Sequence, residues 1–315
     1  MVVTFNFLLF RVLPGDPARA GLRDPRLSPE AVAALTERFG LDKPVFLELD
    51  GGNPLDSQYF AYLGALSRFD LGVSYAEREA PVIELIGDAL VNTLWLVLPA
   101  DLLAIGLGAL LGLVAGWKRG RPLDVGALTF SLFMWSLPTF FLGIILLVFG
   151  ASWLGLPTAG RVTIGVEYAS FWDQLVDIGS HLLLPTLTFT LVLLGEYMLI
   201  MRSSVLDVFS EDYILTAKAK GLSTFRIIKD HALRNAMLPM VTLIALNLGF
   251  TVAGAIQVET VFSWPGLGQL TVEAVSERDY PVLQGAFLII AISVVIANLA
   301  AELVYGWLDP RVSEA

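Results

Sequence analysis

The stretch EDYILTAKAKGLSTFRIIKDHALRNAMLP, from Glu211 to Pro239, decides how the rest of the chain is interpreted. It is a polar interruption between two apolar stretches, and its cations are Lys218, Lys220, Arg226, Lys229 and Arg234. On charge alone it is either an ordinary cytoplasmic loop of a membrane protein or a surface for a partner, and charge leaves both interpretations open.

The same stretch also predicts local structure. Tyr213 to Lys220 has the composition of a short helix, and Gly221 is expected to end it. Ser223 can cap a second helix, whose apolar face is predicted to carry Phe225, Ile228 and Leu233 at roughly helical spacing. The sequence therefore predicts two helices joined by a glycine hinge on the membrane surface, with one face left for a partner.

The composition is that of an integral membrane protein. Of the 315 residues, 56% are hydrophobic and only 16% are charged, which is too apolar for a soluble domain of this length. The chain has no cysteine and two histidines, so we expect neither a disulfide framework nor a metal site. A net charge of -10 argues against a nucleic-acid partner.

Apolar runs predict the membrane spans and the domain organisation. Residues 1–13 are apolar but shorter than the roughly 20 residues that a spanning helix needs, so we expect a truncated first helix. Residues 14–88 are polar and are expected to form an extracytoplasmic region. Residues 89–315 form the predicted transmembrane core, with a cytoplasmic loop over 202–237. The predicted complete spans are Leu90–Gly116, Val125–Gly150 (kinked or locally opened at Pro138), His181–Met201, Leu238–Val258 and Leu283–Trp307.

The distribution of basic residues predicts the orientation. Lys118, Arg119 and Arg121 follow the first complete span, and the loop over 202–237 holds a second basic group. The short loops on the other side carry few cations, and cytoplasmic loops are the ones enriched in Lys and Arg. Both ends of the full-length chain are therefore predicted to be cytoplasmic.

The order of residues in the basic loop is similar to a known signature. Leu215-Thr216-Ala217, then Gly221, His231 and Leu233, resemble the coupling loop of ABC importer permeases, with Leu215 in place of the usual glutamate. Thr216 to Leu222 and His231 to Ala236 resemble the peptide-importer branch more closely. Further matches to this branch lie at Leu13–Pro17, Val261–Gly268, Arg278–Pro281 and Leu308–Arg311, whereas Glu48–Asp56 looks like an insertion.

The resemblance implies an all-α membrane protein with the fold of a type I ABC importer permease, five complete transmembrane helices and a truncated first one. It implies a prokaryotic cytoplasmic (inner) membrane protein that translocates dipeptides or oligopeptides by alternating access. The partners implied are a second homologous permease, two ATPase subunits that use the ATP, an extracytoplasmic substrate-binding protein and the lipid bilayer. The residues that it assigns to ATPase coupling are Tyr213, Thr216, Ala217, Lys218, Lys220, Gly221, His231 and Leu233, and small side chains at Ala217 and Gly221 would let the loop seat closely.

Other functions are less well supported by the residues. A nickel-complex or glutathione permease of the same family remains an alternative. The chain has no Gly-x4-Gly-Lys-Ser/Thr phosphate loop and no hydrolase or metalloprotease motif, so we expect a transport subunit that is not an enzyme and binds no cofactor directly. An ion-gradient-driven carrier would show inverted halves with paired charges, and no such halves are visible.

Polar groups inside the predicted spans are candidates for the translocation path. Asp101, Asn247 and Asn298 are the predicted path residues, because a polar group in a bilayer normally faces protein or water. The alternative for Asp101 is a carboxyl group satisfied within the protein. Gly108, Gly112 and Gly116 form a small-residue stripe that predicts either close packing within a permease pair or a flexible gating helix.

Overall fold

The computed structural model describes residues 1–11, 30, 36–37, 40, 42–47, 54–77 and 80–308. Within them the regular structure is helical, apart from an isolated antiparallel bridge between Val73 and Pro81. Three sequence predictions lie wholly or mostly outside the described residues. They concern the Leu13–Pro17 motif, the insertion Glu48–Asp56 and the Leu308–Arg311 ending.

Twelve α-helices and one π-helical turn are found in the described part of the chain. In order they are α1 (Val2–Arg11), α2 (Gln58–Leu66), α3 (Val82–Trp117), α4 (Pro122–Ser136), α5 (Thr139–Leu154), α6 (Phe171–Phe209), α7 (Asp212–Ala219), α8 (Thr224–Ile227), the π turn (Ile228–Ala232), α9 (Leu233–Gly254), α10 (Ile256–Val261), α11 (Leu267–Glu277) and α12 (Tyr280–Leu308).

The helices α3, α6 and α12 extend beyond the predicted spans, whereas the span predicted over Leu238–Val258 is divided between α9 and α10. The helices α3 and α6 have 36 and 39 residues, and α9 begins at Leu233 rather than Leu238. By length and apolar composition, α3, α6 and residues 280–300 of α12 can each cross a membrane, and the pair α4 and α5 counts as a fourth span if taken together. Only described residues enter this comparison.

The predicted span Val125–Gly150 is broken more strongly than a kink. The helices α4 and α5 are bent by 103° at Pro138. Leu137, the residue before the proline, has φ -75° and ψ 133°, because the proline ring disfavours the α conformation of its predecessor. Pro99, Pro185 and Pro239 lie inside continuous helices, so proline alone does not decide where the chain breaks.

The chain divides into two compact units. The first comprises residues 1–91 and 269–292, and the second comprises residues 92–268 and 293–315. In the first unit, the ring of Phe7 packs against Phe46, Tyr59 and Tyr62. The sequence predicted this unit from residues 14–88, and in the structure residues 269–292 belong to it as well. The position of residues 14–88 and 89–315 relative to the membrane stays a prediction.

In the second unit, α6 is the central helix. It packs against α4, α5, α9 and α10. One apolar core joins Leu96 and Ala100 of α3 to Phe189 of α6 and to Trp264. A second core joins α3, α6 and α9 around Tyr197 and Met201. Both cores therefore depend on how α3 meets α6.

The glycine stripe is where α3 meets α6. A Cβ atom at Gly108 would lie 2.6 Å from the Tyr197 Cβ, and one at Gly112 would lie 2.6 Å from the Met198 carbonyl oxygen. A Cβ atom at Gly116 would lie 2.8 Å from Val205. The three glycines thus pack two helices of the same chain, which corrects the sequence-based expectation of packing within a permease pair.

We predict that Gly112→Ala destabilises the protein whereas Gly106→Ala does not. The added methyl group at position 112 meets the α6 backbone, and overpacking of this kind costs about 1 to 3 kcal/mol. At Gly106 the built Cβ has no neighbour within 4 Å, and alanine favours a helix by up to about 1 kcal/mol. The measurement is the thermal unfolding of both purified variants in detergent, and equal transition temperatures would contradict the proposed contact.

Candidate functional site

The basic loop has the predicted order of helix, glycine and helix. The first helix, α7, covers Asp212–Ala219, and Gly221 follows it with φ +75°, a conformation that favours glycine. Ser223 occupies the N-cap position of α8, but its side chain makes no capping hydrogen bond, so the predicted cap is only positional. The segment from α7 to the π turn is called the coupling segment below.

An apolar cluster holds the coupling segment together from inside. It consists of Ile214 and Ala217 of α7 with Ile227 and Ala232, and Val208 and Phe209 at the end of α6 pack against it. Of the predicted apolar spacing, Ile228 is buried and Leu233 is half-buried, whereas Phe225 is 73% exposed. Ile227, which was not in the predicted set, is 2% exposed. The π turn inserts an extra residue after Ile227 and so shifts the position of Leu233 relative to Ile228.

Two further contacts fasten α7 to its neighbours. The Asn235 side-chain amide of α9 donates a hydrogen bond of 2.7 Å to the Tyr213 hydroxyl. The Lys218 ammonium group lies 5.5 Å from the centroid of the Phe209 ring at the end of α6. A force on α7 is therefore transmitted to both α6 and α9.

Most predicted coupling residues are exposed, but two are not. Ala217 is buried in the apolar cluster and Leu233 is half-buried. The small side chain at Ala217 is thus explained by packing inside the segment, not by close seating of a partner. The exposed members of the predicted set are Tyr213, Thr216, Lys218, Lys220, Gly221 and His231.

Sequence reasoning did not single out Leu215 and Phe225 as exposed apolar residues of this surface. Both are more than half exposed and lie on the coupling segment. The sequence does place both residues on helical faces other than those of Ile214 and Ile227. That placement predicts exposure only once it is known which face is buried. Together with the exposed polar residues they form a surface that combines apolar and basic groups.

The predicted path residues are only partly brought together. The Asn247 side chain of α9 donates a hydrogen bond of 3.2 Å to the Glu196 carboxylate and lies 3.4 Å from the Tyr197 hydroxyl. Asp101 is buried, and its charge is close enough to Tyr197 to interact with it. Asn298 is exposed on α12, and no hydrogen bond among the described residues joins it to this group.

Glu259 is a buried carboxylate that sequence reasoning missed. It is 0% exposed, and its two oxygens accept hydrogen bonds from the Thr93 hydroxyl at 2.6 Å and from the Gly268 backbone N–H at 2.7 Å. The Thr93 hydroxyl in turn accepts the Leu267 N–H at 2.7 Å. The available signal was a lone acid between α9 and the glycine-rich segment 261–268.

Asn92 supplies a second link between α3 and the same segment. The side-chain amide of Asn92 donates to the Pro265 carbonyl oxygen at 2.9 Å. The backbone carbonyl oxygen of Asn92 accepts the Trp264 indole N–H, also at 2.9 Å. A Cβ atom at Gly266 would lie 2.2 Å from a Glu259 oxygen, so only glycine fits there. The polar groups of this loop are thus paired with α3.

An ion pair between buried Asp124 and partly exposed Arg202 connects the N-terminal part of α4 to the C-terminal part of α6. The Arg202 guanidinium donates two hydrogen bonds, of 2.6 and 3.0 Å, to the Asp124 carboxylate. The Gly120 N–H donates a third to the same carboxylate at 2.8 Å. Two parallel bonds of this kind fix orientation as well as distance. The bidentate Asp124–Arg202 pair therefore holds the C-terminal part of α6, which leads into the coupling segment, in place against α4.

In the described part of the chain no group of three or more His, Cys, Asp or Glu side chains has a geometry that would hold a metal ion. Two carboxylates of the second unit accept hydrogen bonds from neutral donors: Glu259 from a hydroxyl and a backbone N–H, and Glu196 from the Asn247 amide.

Comparison with known proteins gives a consistent family. Residues 108–314 match the family described as binding-protein-dependent transport system inner membrane component. The chain is 36% identical to the di/tripeptide transport system permease protein DppB of Pseudomonas aeruginosa, over 99% of this chain and 94% of that protein. It is 34% identical to the glutathione transport system permease protein GsiC of Salmonella choleraesuis, with the same coverage.

A solved structure shows the same fold. It is an inward-facing conformation of the MetNI methionine ABC transporter, which matches with a TM-score of 0.59 and 14% identity, over 72% of this chain and 97% of that one. The predicted fold class, an all-α membrane protein with the fold of a type I ABC importer permease, is confirmed.

We predict that Glu259→Gln destabilises the second unit. One carboxylate oxygen becomes an NH2 group that faces a donor, either the Thr93 hydroxyl or the Gly268 N–H, and a buried unsatisfied group costs about 1 to 3 kcal/mol. Thermal unfolding in detergent measures the effect. The matched control is Glu167→Gln in an exposed loop, which should leave the transition unchanged. A Glu259→Gln variant as stable as this control would contradict the assigned hydrogen bonds.

Proposed function

Because the chain belongs to the family of inner membrane components of binding-protein-dependent transport systems, we propose that it is the permease subunit of an ATP-driven importer of short peptides. The peptide cargo is supported by the name of its Pseudomonas aeruginosa relative. The observation that carries the proposal is the coupling segment, a folded helix-glycine-helix unit that leaves apolar and basic side chains exposed.

The proposed assembly has four further protein subunits. A second homologous permease completes the pathway, two ATPase subunits bind at the coupling segments, and an extracytoplasmic binding protein delivers the cargo. The exposed side chains of Leu215 and Phe225 would enter an apolar groove of an ATPase subunit, while Lys218 and Lys220 pair with acids at its rim. Both ends of the full-length chain face the cytoplasm in this arrangement.

The proposed mechanical step is alternating access driven by the ATPases. When ATP closes the ATPase pair, α7 moves with it, and the Tyr213–Asn235 bond and the shared apolar cluster carry that motion to α9 and α6. The helix α3 follows, because its glycines contact the α6 backbone. A rigid group of helices therefore tilts, and the route opens to the other side.

The route itself is proposed to pass polar groups of the long helices. Asp101 and Asn247 lie around Tyr197 within the second unit, where they would contribute polarity without exposing charge to lipid. Asn298, exposed on α12 in the single chain, would line the route opposite the second permease. In this proposal cargo selection lies mainly with the binding protein.

A second cargo is favoured by one specific similarity. The Salmonella choleraesuis relative is named as a glutathione permease and is nearly as similar to this chain as the peptide permease is. Glutathione has peptide bonds, so the two cargoes differ in side chains and linkage more than in class. Competition between glutathione and an unmodified tripeptide for uptake distinguishes them.

The decisive experiment uses Gly221→Asp. Gly221 has φ +75° and no neighbour within 4 Å of a built Cβ, so the carboxylate would clash with nothing in this chain. It would instead lie unpaired in the proposed ATPase interface, which costs several kcal/mol. We expect co-purification of the ATPases to fail and ATP-dependent peptide uptake to fall by at least about a hundredfold, with membrane insertion unchanged.

The matched control is Gly165→Asp. Gly165 has φ +81° and equally open surroundings, and it lies in the loop before α6, far along the chain from the coupling segment. Both variants introduce the same charge and comparable backbone strain. Uptake that is normal in Gly221→Asp, or lost equally in both variants, would contradict the proposed coupling role.

Two residues of one short helix separate binding from folding. We predict that Phe225→Ser lowers co-purification of the ATPase subunits about tenfold or more without changing thermal stability, because the ring is 73% exposed. Ile227→Ser should lower thermal stability, because that side chain is 2% exposed in the apolar cluster. A Phe225→Ser complex that retains its ATPases would exclude this residue from the interface.

A further inference from the structure

The first unit contains a cavity of about 390 Å³ that no step of the proposed mechanism uses. Its volume falls in the usual range of small-molecule sites, which is about 300 to 1,000 Å³. All of its lining residues belong to the first unit. Ala65, Leu71, Val73 and Pro281 give it an apolar wall, and its polar groups are those of Lys43, Gln58, Tyr62, Asp70 and Gln284.

Two buried polar groups in this wall lack a hydrogen bond. The Gln284 side chain is 9% exposed, and its Nε2 makes no hydrogen bond to any described residue; nor does the Tyr62 hydroxyl. The Gln284 side chain is directed at the Tyr62 hydroxyl and acts to lower the pKa of Tyr62, but their contact falls outside hydrogen-bond geometry. Buried polar groups are normally paired, so unpaired donors in a cavity wall indicate that something binds there.

The charges around the cavity define what that ligand must offer. Burial raises the pKa of Tyr62, so its hydroxyl stays protonated and able to donate at physiological pH. The Lys43 ammonium has three N–H groups and directs one to Asp56 at 2.6 Å. Gln284, Tyr62 and Lys43 thus present donors, which favour carboxylate and carbonyl oxygens.

Asp70 supplies the opposite charge at the exposed side of the cavity. One of its oxygens accepts the Gly72 N–H at 2.8 Å, and the residue is otherwise exposed. A carboxylate has several acceptor positions, so Asp70 can also bind an ammonium group. A ligand with acceptor oxygens at one end and an ammonium group at the other therefore matches the site, and an unmodified short peptide has both.

We propose that this cavity is a binding site for the short peptide cargo, in which Gln284, Tyr62 and Lys43 bind its carboxylate and carbonyl oxygens and Asp70 binds its amino terminus. This inference rests on the proposed function for the nature of the cargo. The site is separate from the polar group around Tyr197, because it lies wholly in the first unit. It would hold a peptide on the chain itself, apart from the binding protein.

Trialanine binding to the assembled transporter tests the site directly. The complete complex in lipid nanodiscs, without nucleotide and without binding protein, is titrated with trialanine by calorimetry. Gln284→Met and Tyr62→Phe should each weaken binding about tenfold or more, because each removes a donor to a charged or carbonyl oxygen. Each variant removes only a contact between these two groups that falls outside hydrogen-bond geometry, so thermal stability should change little.

The matched control is Gln174→Met, an exposed glutamine of α6 outside the cavity, which should bind trialanine like the unmodified protein. Unchanged affinity in both Gln284→Met and Tyr62→Phe would overturn the proposal. The absence of binding to the unmodified complex at millimolar trialanine would overturn it as well.

Acetylated peptide tests the role of Asp70. N-acetyl-trialanine lacks the ammonium group and should bind the unmodified complex about tenfold more weakly than trialanine. In Asp70→Asn, which keeps an acceptor for the Gly72 N–H, the two peptides should bind equally. A preference for free trialanine that survives in Asp70→Asn would overturn the assigned orientation.

Uptake measurements separate this inference from the proposed function. One outcome is that the complex takes up trialanine in an ATP-driven manner but the cavity variants do not change trialanine binding. That result would contradict the proposed binding site and leave the importer role intact. Binding that depends on the cavity, in a complex that transports no peptide, would support the site and remove the peptide importer role.

Discussion

Gly108, Gly112 and Gly116 lie four residues apart on α3, and at each of them the backbone of α3 comes into contact with α6. Between helices in lipid there is little hydrophobic driving force, so close packing of small residues has to supply the attraction. Gly195 on α6 does the same toward α4, where a built Cβ would lie 2.6 Å from the Ser131 carbonyl oxygen. The second unit depends on these backbone contacts.

Polar pairs fix the ends of the helices that the glycines bring together. Glu259 and Asn92 attach the glycine-rich segment 261–268 to α3, and Asp124 with Arg202 attaches α4 to α6. The buried Glu259 carboxylate accepts two hydrogen bonds and the buried Asp124 carboxylate accepts three, so removing either carboxylate leaves donors without an acceptor. These contacts hold the helices of the second unit in a fixed arrangement.

The coupling segment is built on a different principle. Its inner face is a small apolar cluster shared with the end of α6, and its outer face leaves side chains such as Leu215 and Phe225 exposed. The apolar cluster and the Tyr213–Asn235 bond connect the surface to two long helices. One face of this short helix pair thus packs against the rest of the chain, and the opposite face leaves apolar and basic side chains exposed.

The sequence by itself determined the membrane class, the positions of the long helices, the break at Pro138, the hinge at Gly221 and the family, because apolar length, proline, glycine and motif order are local properties. It did not determine which residues meet. Ala217 packs inward in the apolar cluster while Phe225 stays exposed, and the glycine stripe serves α3 and α6 of one chain because of how these two helices meet. Glu259 and the cavity around Gln284 likewise required the tertiary structure, because each is assembled from segments distant in the chain, and side-chain pairing across such distances leaves no local pattern.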